Sequence, residues 1–204
     1  AAPTTTQPEQ CITLYYEDLA QVERVSPTGS RVLIDINDPN LLSSPATAAD
    51  VLLTTHTHWD HVDERFQASF PGQQLFTTEG TIELPDVHIQ GIPSVHLPTQ
   101  TPQATGGTNY LYVVDMAGLR IVHFGDIGQN DLTAEQLAIL GHIDVAITQF
   151  SNEYSRMDAY NKKGFHLMDQ AAPTLILPTH IDRATARLLS ERGQGAFVVG
   201  PAVR

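Results

Sequence analysis

The sequence predicts a four-layer α/β sandwich, in which two β-sheets pack face to face and helices cover their outer surfaces. Short apolar runs typical of buried strands, such as "DVLLTT" and "IDVAITQF", recur along the chain. Helical segments, such as "TAEQLAIL" and "DRATARLLSERG", accompany the strands. Since each half of the chain is rich in strands that helices follow, the sheets are expected at the centre and the helices outside.

The first half of the chain is predicted to consist mainly of strands. "ITLYYEDLAQVERV" and "RVLIDIND" indicate strands joined by the turn "SPTGS", in which Pro27 and Gly29 are typical turn residues. "DVLLTT" indicates a buried strand, and "DHVDERFQASF" a short helix with Asp60 as N-cap and Asp63 three residues later. "QQLFTT" and "VHIQGIPSV" indicate further strands.

The second half combines a hairpin with alternating helices and strands. "TNYLYVVDMAGLRIVHFGD" predicts two strands around the turn "DMAG". "TAEQLAIL" predicts a helix with a threonine cap, "FHLMDQAA" a second helix, and "DRATARLLSERG" an amphipathic helix that ends at Gly193. "IDVAITQF", "TLILPTH" and "GAFVVG" predict three strands, the last of which closes the chain.

Length and composition are those of a globular protein. The 204 residues predict a flexible N-terminal segment at 1–10 and a single domain at 11–204. Hydrophobic residues make up 41% of the chain and charged residues 17%, which is enough apolar material for a core. No apolar run approaches the roughly 18 residues that a membrane-spanning helix needs.

Charge and cysteine usage narrow the partners. The net charge of −12 disfavours nucleic acid as a partner, because non-specific binding to phosphates relies on Lys and Arg, so a small-molecule substrate is expected. The single cysteine, Cys11, excludes an internal disulfide. The polar start "AAPTTTQPEQ" fits a mature end left after signal-peptide removal, or a trimmed chain. The compartment, exported or cytoplasmic, stays open, as does oligomerisation.

The chemistry of the chain is concentrated in "THTHWDH" at residues 55–61. Because side chains at i and i+2 of an extended segment point the same way, His56 and His58 can hold one ion together. Asp60 and His61 lie where the chain turns, so they can face a second ion. Imidazole nitrogen and carboxylate oxygen are ligands that zinc prefers, and four such groups beside a core strand would otherwise lack partners. The HxHxDH pattern therefore predicts a metal site.

Four ligands cannot fill two coordination shells, so further ligands are expected from other strand ends. His96 follows "IQGIPSV", Asp126 follows "RIVHFG", and His180 follows "LILPT". Loops at one edge of a sandwich can hold such groups together on a rigid scaffold. The alternative for each residue taken alone is a hydrogen-bonded histidine or a turn-capping aspartate.

Asp35, the remaining histidines and Trp59 have different expected roles. Asp35 either orients a ligand histidine through a hydrogen bond or is a turn residue at a strand end. His88 lies inside a predicted strand and is expected to be structural. His123 is expected beneath the site and His142 at the surface, while His166 has no predicted place. Trp59 is expected to pack beneath the metals.

Substrate contacts are harder to predict. Two polar stretches either overhang the site, where their cations can contact an anionic group, or are solvated loops. The candidates are Asn109, Tyr110, Tyr154, Arg156, Tyr160, Lys162 and Lys163.

The motifs taken together resemble the metallo-β-lactamase-fold hydrolase superfamily over residues 11–200. The resemblance rests on "LID" ending at Asp35, "THTHWDH", "SVH" ending at His96, "HFGDIG" at 123–128 and "LPTH" at 177–180, in this order. "HFGDIG", "IDVAITQF" and "LILPTH" are most similar to the branch of small lactonases and phosphodiesterase-type hydrolases. The resemblance implies an αββα sandwich.

The resemblance also implies a set of metal ligands. The first metal would be held by His56, His58 and His96, the second by Asp60, His61 and His180, and Asp126 would bridge the two. The second ligand is His58 rather than the Glu of di-iron relatives, which favours two zinc ions, with manganese as the alternative.

The expected function is hydrolysis of an ester, lactone or phosphodiester bond by a metal-bound hydroxide. Asp60 would hold the hydroxide or move its proton in addition to binding metal. One alternative is a thioester hydrolase of the glyoxalase II type, although Val62 and Asp63 replace the small residues usual there. A second alternative is a non-catalytic metal-binding domain on the same fold.

Overall fold

The first sheet contains five strands in the part of the chain that the computed structural model describes, residues 11–100 and 108–193. The strands lie in sequence order; β1, β2 and β3 pair antiparallel, whereas β3, β4 and β5 pair parallel. The sheet is therefore mixed. The strands are β1 (Thr13–Asp18), β2 (Gln21–Val25), β3 (Arg31–Ile34), β4 (Val51–Thr54) and β5 (Gln73–Phe76).

The second sheet is also mixed and has the order β11-β10-β9-β8-β7-β6. β6 to β9 pair antiparallel, and β9, β10 and β11 pair parallel. The strands are β6 (Gly80–Leu84), β7 (Val87–Ser94), β8 (Asn109–Met116), β9 (Leu119–His123), β10 (Val145–Thr148) and β11 (Leu175–Pro178).

The described part of the chain contains four α-helices, three of which begin at residues whose side chains accept from free backbone N–H groups. They are α1 (Glu64–Ser69), α2 (Ala134–Leu140), α3 (Lys163–Ala171) and α4 (Arg183–Arg192), with a short 3₁₀ turn at Pro39–Leu41. Thr133 and Gln136 form a reciprocal capping box at α2, as Asp182 and Thr185 do at α4. Gly193 in the left-handed region ends α4, as its sequence predicts.

The apolar side chains form three successive layers of packing. Between the sheets, Val32 and Leu53 of the first sheet pack with Ile89 and Val114 of the second. Phe70 and its neighbours cover the outer face of the first sheet. Helices α2, α3 and α4 cover the outer face of the second sheet, where Phe165 belongs to the largest cluster. Three packed interfaces require four layers, so the predicted αββα sandwich is confirmed.

Three details differ from the expectation or lie beyond it. Asp63, not Asp60, is the N-cap of α1, since its carboxylate accepts from the N–H groups of Arg65 and Phe66. The prediction of Asp60 as cap is wrong because the chain first makes a turn, in which His61 N–H donates to His58 O. Strand β6 was not predicted. The segment 1–10 and the predicted strand "GAFVVG" lie outside the described residues.

Carboxyl ends of strands from both sheets meet at one edge of the sandwich. β7 and β9 run in the same direction because each is antiparallel to β8, and β11 is parallel to them through β10. The residues after these strand ends are where open α/β sheets place ligand sites. Among the described residues, no helix has the length and apolar character needed to cross a bilayer.

Tyr112 joins the two sheets through a buried hydroxyl. Its side chain is fully buried on β8, and its hydroxyl donates to the carbonyl oxygen of Thr54 on β4 at 3.0 Å. The carbonyl oxygen of Leu75 on β5 lies 3.1 Å away on the same sheet. Thr54, which accepts the first of these hydrogen bonds, lies two residues before His56, the first histidine of the cluster.

We expect Tyr112→Phe to lower the free energy of unfolding by about 1–2 kcal/mol, because buried carbonyl groups lose their donor. Chemical denaturation measures the change. Tyr110→Phe is the matched control, since the Tyr110 hydroxyl makes no hydrogen bond to another described residue. Equal stability of the Tyr112 variant and its parent would contradict the role.

Candidate metal centre

The first sheet delivers two imidazoles at the end of β4. His56 is buried and His58 is exposed, and their ring centroids are 4.6 Å apart. His96, which follows β7 of the second sheet, brings a third ring within 5.0 Å of His56 and 4.7 Å of His58. These three side chains, His56, His58 and His96, are the first trio.

A second group of donors lies beside the first trio. His61 comes from the turn after His58, and His180 follows β11; their Nε2 atoms are 3.3 Å apart. The Asp60 carboxylate oxygen Oδ2 lies 3.9 Å from His61 Nε2 and 3.6 Å from His180 Nε2. Asp60, His61 and His180 are the second trio.

Asp126 lies between the two trios. Its Oδ2 atom is 3.7 Å from His56 Nε2 and 3.4 Å from His96 Nε2. Its Oδ1 atom is 3.3 Å from the Nε2 atoms of both His61 and His180. One oxygen thus faces each trio, and the seven side chains named from the sequence lie together.

The buried imidazoles are held with Nε2 toward Asp126. Thr55 Oγ1 donates to Asp35 at 2.8 Å, so at 3.1 Å it accepts from His56 Nδ1–H. His61 Nδ1–H donates to Asp35 at 2.8 Å. Both rings therefore keep their second nitrogen, Nε2, for the centre of the site.

These donors fit divalent metal ions. The buried atoms His56 Nε2, His96 Nε2 and Asp126 Oδ1 have no hydrogen-bond partner among the described residues. Buried polar atoms without partners are costly, and several lone pairs aimed at one carboxylate need a cation between them. The potential ligand atoms within each trio, with Asp126 Oδ2 in the first, lie within 4.8 Å of one another. Imidazole and carboxylate are ligands of zinc and its neighbours.

Asp126 is fixed by three neighbours. Asn109 Oδ1 accepts from its backbone N–H at 2.9 Å, and Ser155 Oγ donates to its carbonyl oxygen at 3.1 Å. Asn152 Nδ2 donates to its Oδ2 atom at 2.6 Å. Asn109, a candidate for substrate contact, is instead buried and holds the loop after β9 in place.

Two glycines allow the loop after β9 to reach the site. Gly125 has φ +53°, a conformation that favours glycine. A Cβ atom at Gly128 would lie 1.7 Å from the carbonyl oxygen of His96. The "HFGDIG" motif therefore supplies the potential ligand Asp126 and also meets a steric requirement through its two glycines.

Asp35 is a positioning residue rather than a simple turn residue. It has φ +53°, a left-handed conformation that Asp tolerates better than most residues. Its carboxylate accepts from the Thr55 backbone N–H and from His61, both at 2.8 Å. Burial opposes the charge on Asp35, yet the His61 imidazole lowers its pKa. In the same way, burial opposes charge on His61, yet Asp35 and Asp126 raise its pKa to about 10. The local field thus favours a cation.

Two further buried bases lie near Asp35. His123 is fully buried, and burial lowers its pKa to about 4. It accepts from Gly125 N–H at Nδ1 and donates from Nε2 to the Ala20 carbonyl oxygen at 3.2 Å. Burial lowers the pKa of Arg24 to about 9, which the Asp35 charge opposes. The guanidinium of Arg24 has no hydrogen-bond partner in the described part of the chain.

Three other histidines make surface contacts with carboxylates. His88 pairs with Glu83 on the neighbouring strand, His142 faces Asp144, and His166 faces Asp131. None belongs to the two groups of potential ligands among the described residues.

The loop residues proposed as substrate contacts separate into different environments. Lys163 is buried, and its ammonium donates to the carbonyl oxygens of Gly128 and Ser155. Lys162 lines a groove of about 560 Å³ beside α3 and α4. None of the clustered potential metal ligands lines this groove. Tyr154 lines the cavity at the first trio.

The cavity over the first trio has a volume of about 310 Å³. The groove at α3 and α4 is larger, but the clustered donors mark the smaller cavity as the candidate site. Trp59 is 79% exposed, so the expectation that it packs beneath the metals is wrong. Its neighbours His58 and Asp60 turn toward the site, which leaves the indole directed to solvent.

The sequence matches the family described as "Beta-lactamase superfamily domain" over residues 23–180. The chain belongs to this superfamily, and the resemblance inferred from its motifs is confirmed. No curated protein matches the sequence significantly.

Solved structures share the fold. A protein from Thermotoga maritima, named as a candidate Zn-dependent hydrolase of the metallo-β-lactamase superfamily, has 22% identity and a TM-score of 0.60, covering 84% of this chain and 77% of its own. A candidate metal-dependent hydrolase from Parabacteroides distasonis has 16% identity and a TM-score of 0.65, covering 88% and 87%. An isothiocyanate hydrolase from Delia radicum gut bacteria has 15% identity and a TM-score of 0.61, covering 90% and 95%.

We expect Asp35→Asn to weaken metal binding by roughly 10- to 100-fold, because Asn keeps one acceptor oxygen; with that oxygen on the Thr55 N–H, its NH2 group faces His61 Nδ1–H instead of accepting from it. Asn tolerates the left-handed backbone, so the fold should persist. Metal titration monitored by calorimetry measures the affinity. Asp63→Asn is the control, since Asn also caps helices. Unchanged affinity in the Asp35 variant would show that its hydrogen bond to His61 is dispensable.

Proposed function

We propose that this protein is a metal-dependent hydrolase that uses two divalent cations, zinc in the first place, to cleave an ester, lactone or phosphodiester bond of a small molecule. The observation that carries the proposal is the position of Asp126. Its two carboxylate oxygens each face a different trio at 3.3–3.7 Å. A carboxylate so placed suits two adjacent cations.

In this proposal, each trio would hold one cation, and the Asp126 carboxylate would be available to both. Cations bound there would supply Lewis-acid chemistry and a water molecule with a pKa of about 7, hence a nucleophile at neutral pH. Asp35 and Thr55 would keep the His61 and His56 rings oriented with Nε2 toward the site.

Asp60 is the candidate catalytic residue. Its side chain is 18% exposed, whereas that of Asp126 is 3% exposed, so Asp60 is the more accessible carboxylate. In the proposed reaction the Asp60 carboxylate accepts the proton of the attacking water and later transfers it to the leaving oxygen. Its Oδ2 atom lies 3.9 Å from His61 Nε2 and 3.6 Å from His180 Nε2, within the second trio.

Removal of metal should abolish hydrolysis, because the nucleophile depends on it. We expect about two metal ions per chain by elemental analysis. Chelation should stop turnover of lactone, ester, thioester or bis-p-nitrophenyl phosphate substrates, and zinc or manganese should restore it. A metal-replete protein that hydrolyses none of them would refute the proposal and support a non-catalytic metal-binding domain.

Asp60→Asn should lower kcat by about 100-fold or more at saturating metal, because the amide cannot accept the proton. Steady-state kinetics with elemental analysis of the assayed sample separate this effect from metal loss. Asp38→Asn, which changes the acidic N-cap of the 3₁₀ turn and is not among the potential metal ligands, serves as the control. Retention of the parental kcat would exclude proton transfer through Asp60.

A further inference from the structure

Among the described residues, the walls of the cavity over the first trio carry no acidic or basic side chain other than the imidazoles. Outside the trio, the described lining residues are Thr57, Leu97, Gln100, Thr108 and Tyr154. An anionic substrate would find no Lys or Arg among them. The net charge of −12 further disfavours anions at the protein surface.

The cations predicted to meet an anionic substrate are directed elsewhere. The Lys163 ammonium is occupied by two backbone carbonyl oxygens, and Lys162 lines the groove beside α3 and α4. Arg156 is exposed on the same loop and is not among the cavity walls. This loop therefore supplies its aromatic residue, rather than its cations, to the cavity.

Tyr154 is held over the first trio by residues that also hold Asp126. Its backbone N–H donates to Asn152 Oδ1 at 2.9 Å, and Asn152 in turn donates to Asp126. Ser155, the next residue, donates to the Asp126 carbonyl oxygen. The Tyr154 ring lies 6.2 Å from the His58 ring and is 66% exposed. The Tyr154 backbone is thus anchored at the mouth of the cavity, and its aromatic side chain is left uncovered.

Exposed apolar residues follow the ligands in the sequence. Trp59 comes directly after His58 and is 79% exposed, and Leu97 comes directly after His96 and is 37% exposed. Large exposed apolar side chains around a cavity mark a binding surface. Leu97 lines the cavity together with Tyr154, whereas Trp59 is not among its described walls.

We propose that Leu97 and Tyr154 form an apolar rim that selects uncharged carbonyl substrates, esters or lactones with an aliphatic or aromatic group, over phosphodiesters and other anions. This inference rests on the proposed function and names its substrate class. The rim covers the apolar group while the carbonyl lies against the first trio. Because burial of apolar surface strengthens binding, each added methylene should raise kcat/KM by about 2- to 4-fold within the length of the rim.

The kinetic test compares p-nitrophenyl acetate, butyrate, hexanoate and octanoate with bis-p-nitrophenyl phosphate on the metal-replete protein. We expect Tyr154→Ala to lower kcat/KM for octanoate about 10-fold and for acetate less than 2-fold, with unchanged metal content. Tyr160→Ala is the matched control, since Tyr160 is 97% exposed on the same loop and outside the cavity walls. Because these rings are exposed, their removal should leave the fold intact.

A binding test separates this inference from the proposed function. Trp59 is the one tryptophan of the chain and comes directly after His58 of the cavity wall, so its fluorescence reports on binding in the cavity without turnover. We expect uncharged hexanamide to change Trp59 emission with a Kd at least 10-fold below that of anionic dibutyl phosphate. Tyr154→Ala should weaken the hexanamide response, and Tyr160→Ala should leave it unchanged.

The outcomes are distinguishable. Hexanamide binding that depends on Tyr154, without hydrolysis of any substrate, would refute the hydrolase and support the rim. Preferential cleavage of bis-p-nitrophenyl phosphate would support the hydrolase and overturn the rim. Rates independent of acyl length, or equal effects of the Tyr154 and Tyr160 substitutions, would also overturn the rim.

Discussion

The arrangement of the site depends on one buried carboxylate, that of Asp126. Imidazole nitrogens from both sheets approach its two oxygens within 3.3–3.7 Å. Asn109, Asn152 and Ser155 hold its backbone and one oxygen, so the carboxylate cannot turn away from the rings. A cation bound there would relieve the repulsion between the lone pairs of these nitrogen and oxygen atoms. The other potential ligands are arranged around this carboxylate.

The two sheets divide the work of building this centre. Strands β4, β7, β9 and β11 end at the same edge, and each is followed directly by a ligand or a short loop that carries one. Beneath them, Asp35 connects Thr55 with His61, and buried His123 fills the space toward Ala20. These hydrogen bonds join residues from different segments of the chain, which makes this part of the scaffold rigid.

The loops above the metal ligands differ in character from the scaffold. Trp59, Leu97 and Tyr154 are exposed where the strands below them are buried. The solved structures with this fold have names as different as Zn-dependent hydrolase and isothiocyanate hydrolase, at 22% and 15% identity. A fold alone therefore does not select a substrate, and the exposed loop residues are where selection has to be sought.

Local sequence determines many of the secondary-structure elements of this protein. Strand and helix positions follow from apolar periodicity and caps, as at Thr133 and Gly193, because these depend on neighbours a few residues away. The HxHxDH pattern likewise marks a metal site without knowledge of its partners. Contacts between segments distant in sequence determine the positions of other side chains. Asn109 is buried and accepts from the Asp126 N–H, and the Lys163 ammonium donates to backbone carbonyl oxygens. Trp59 is exposed to solvent. The direction of a loop side chain depends on which groups of the other sheet lie within hydrogen-bond or packing distance of it. Local sequence does not contain that information.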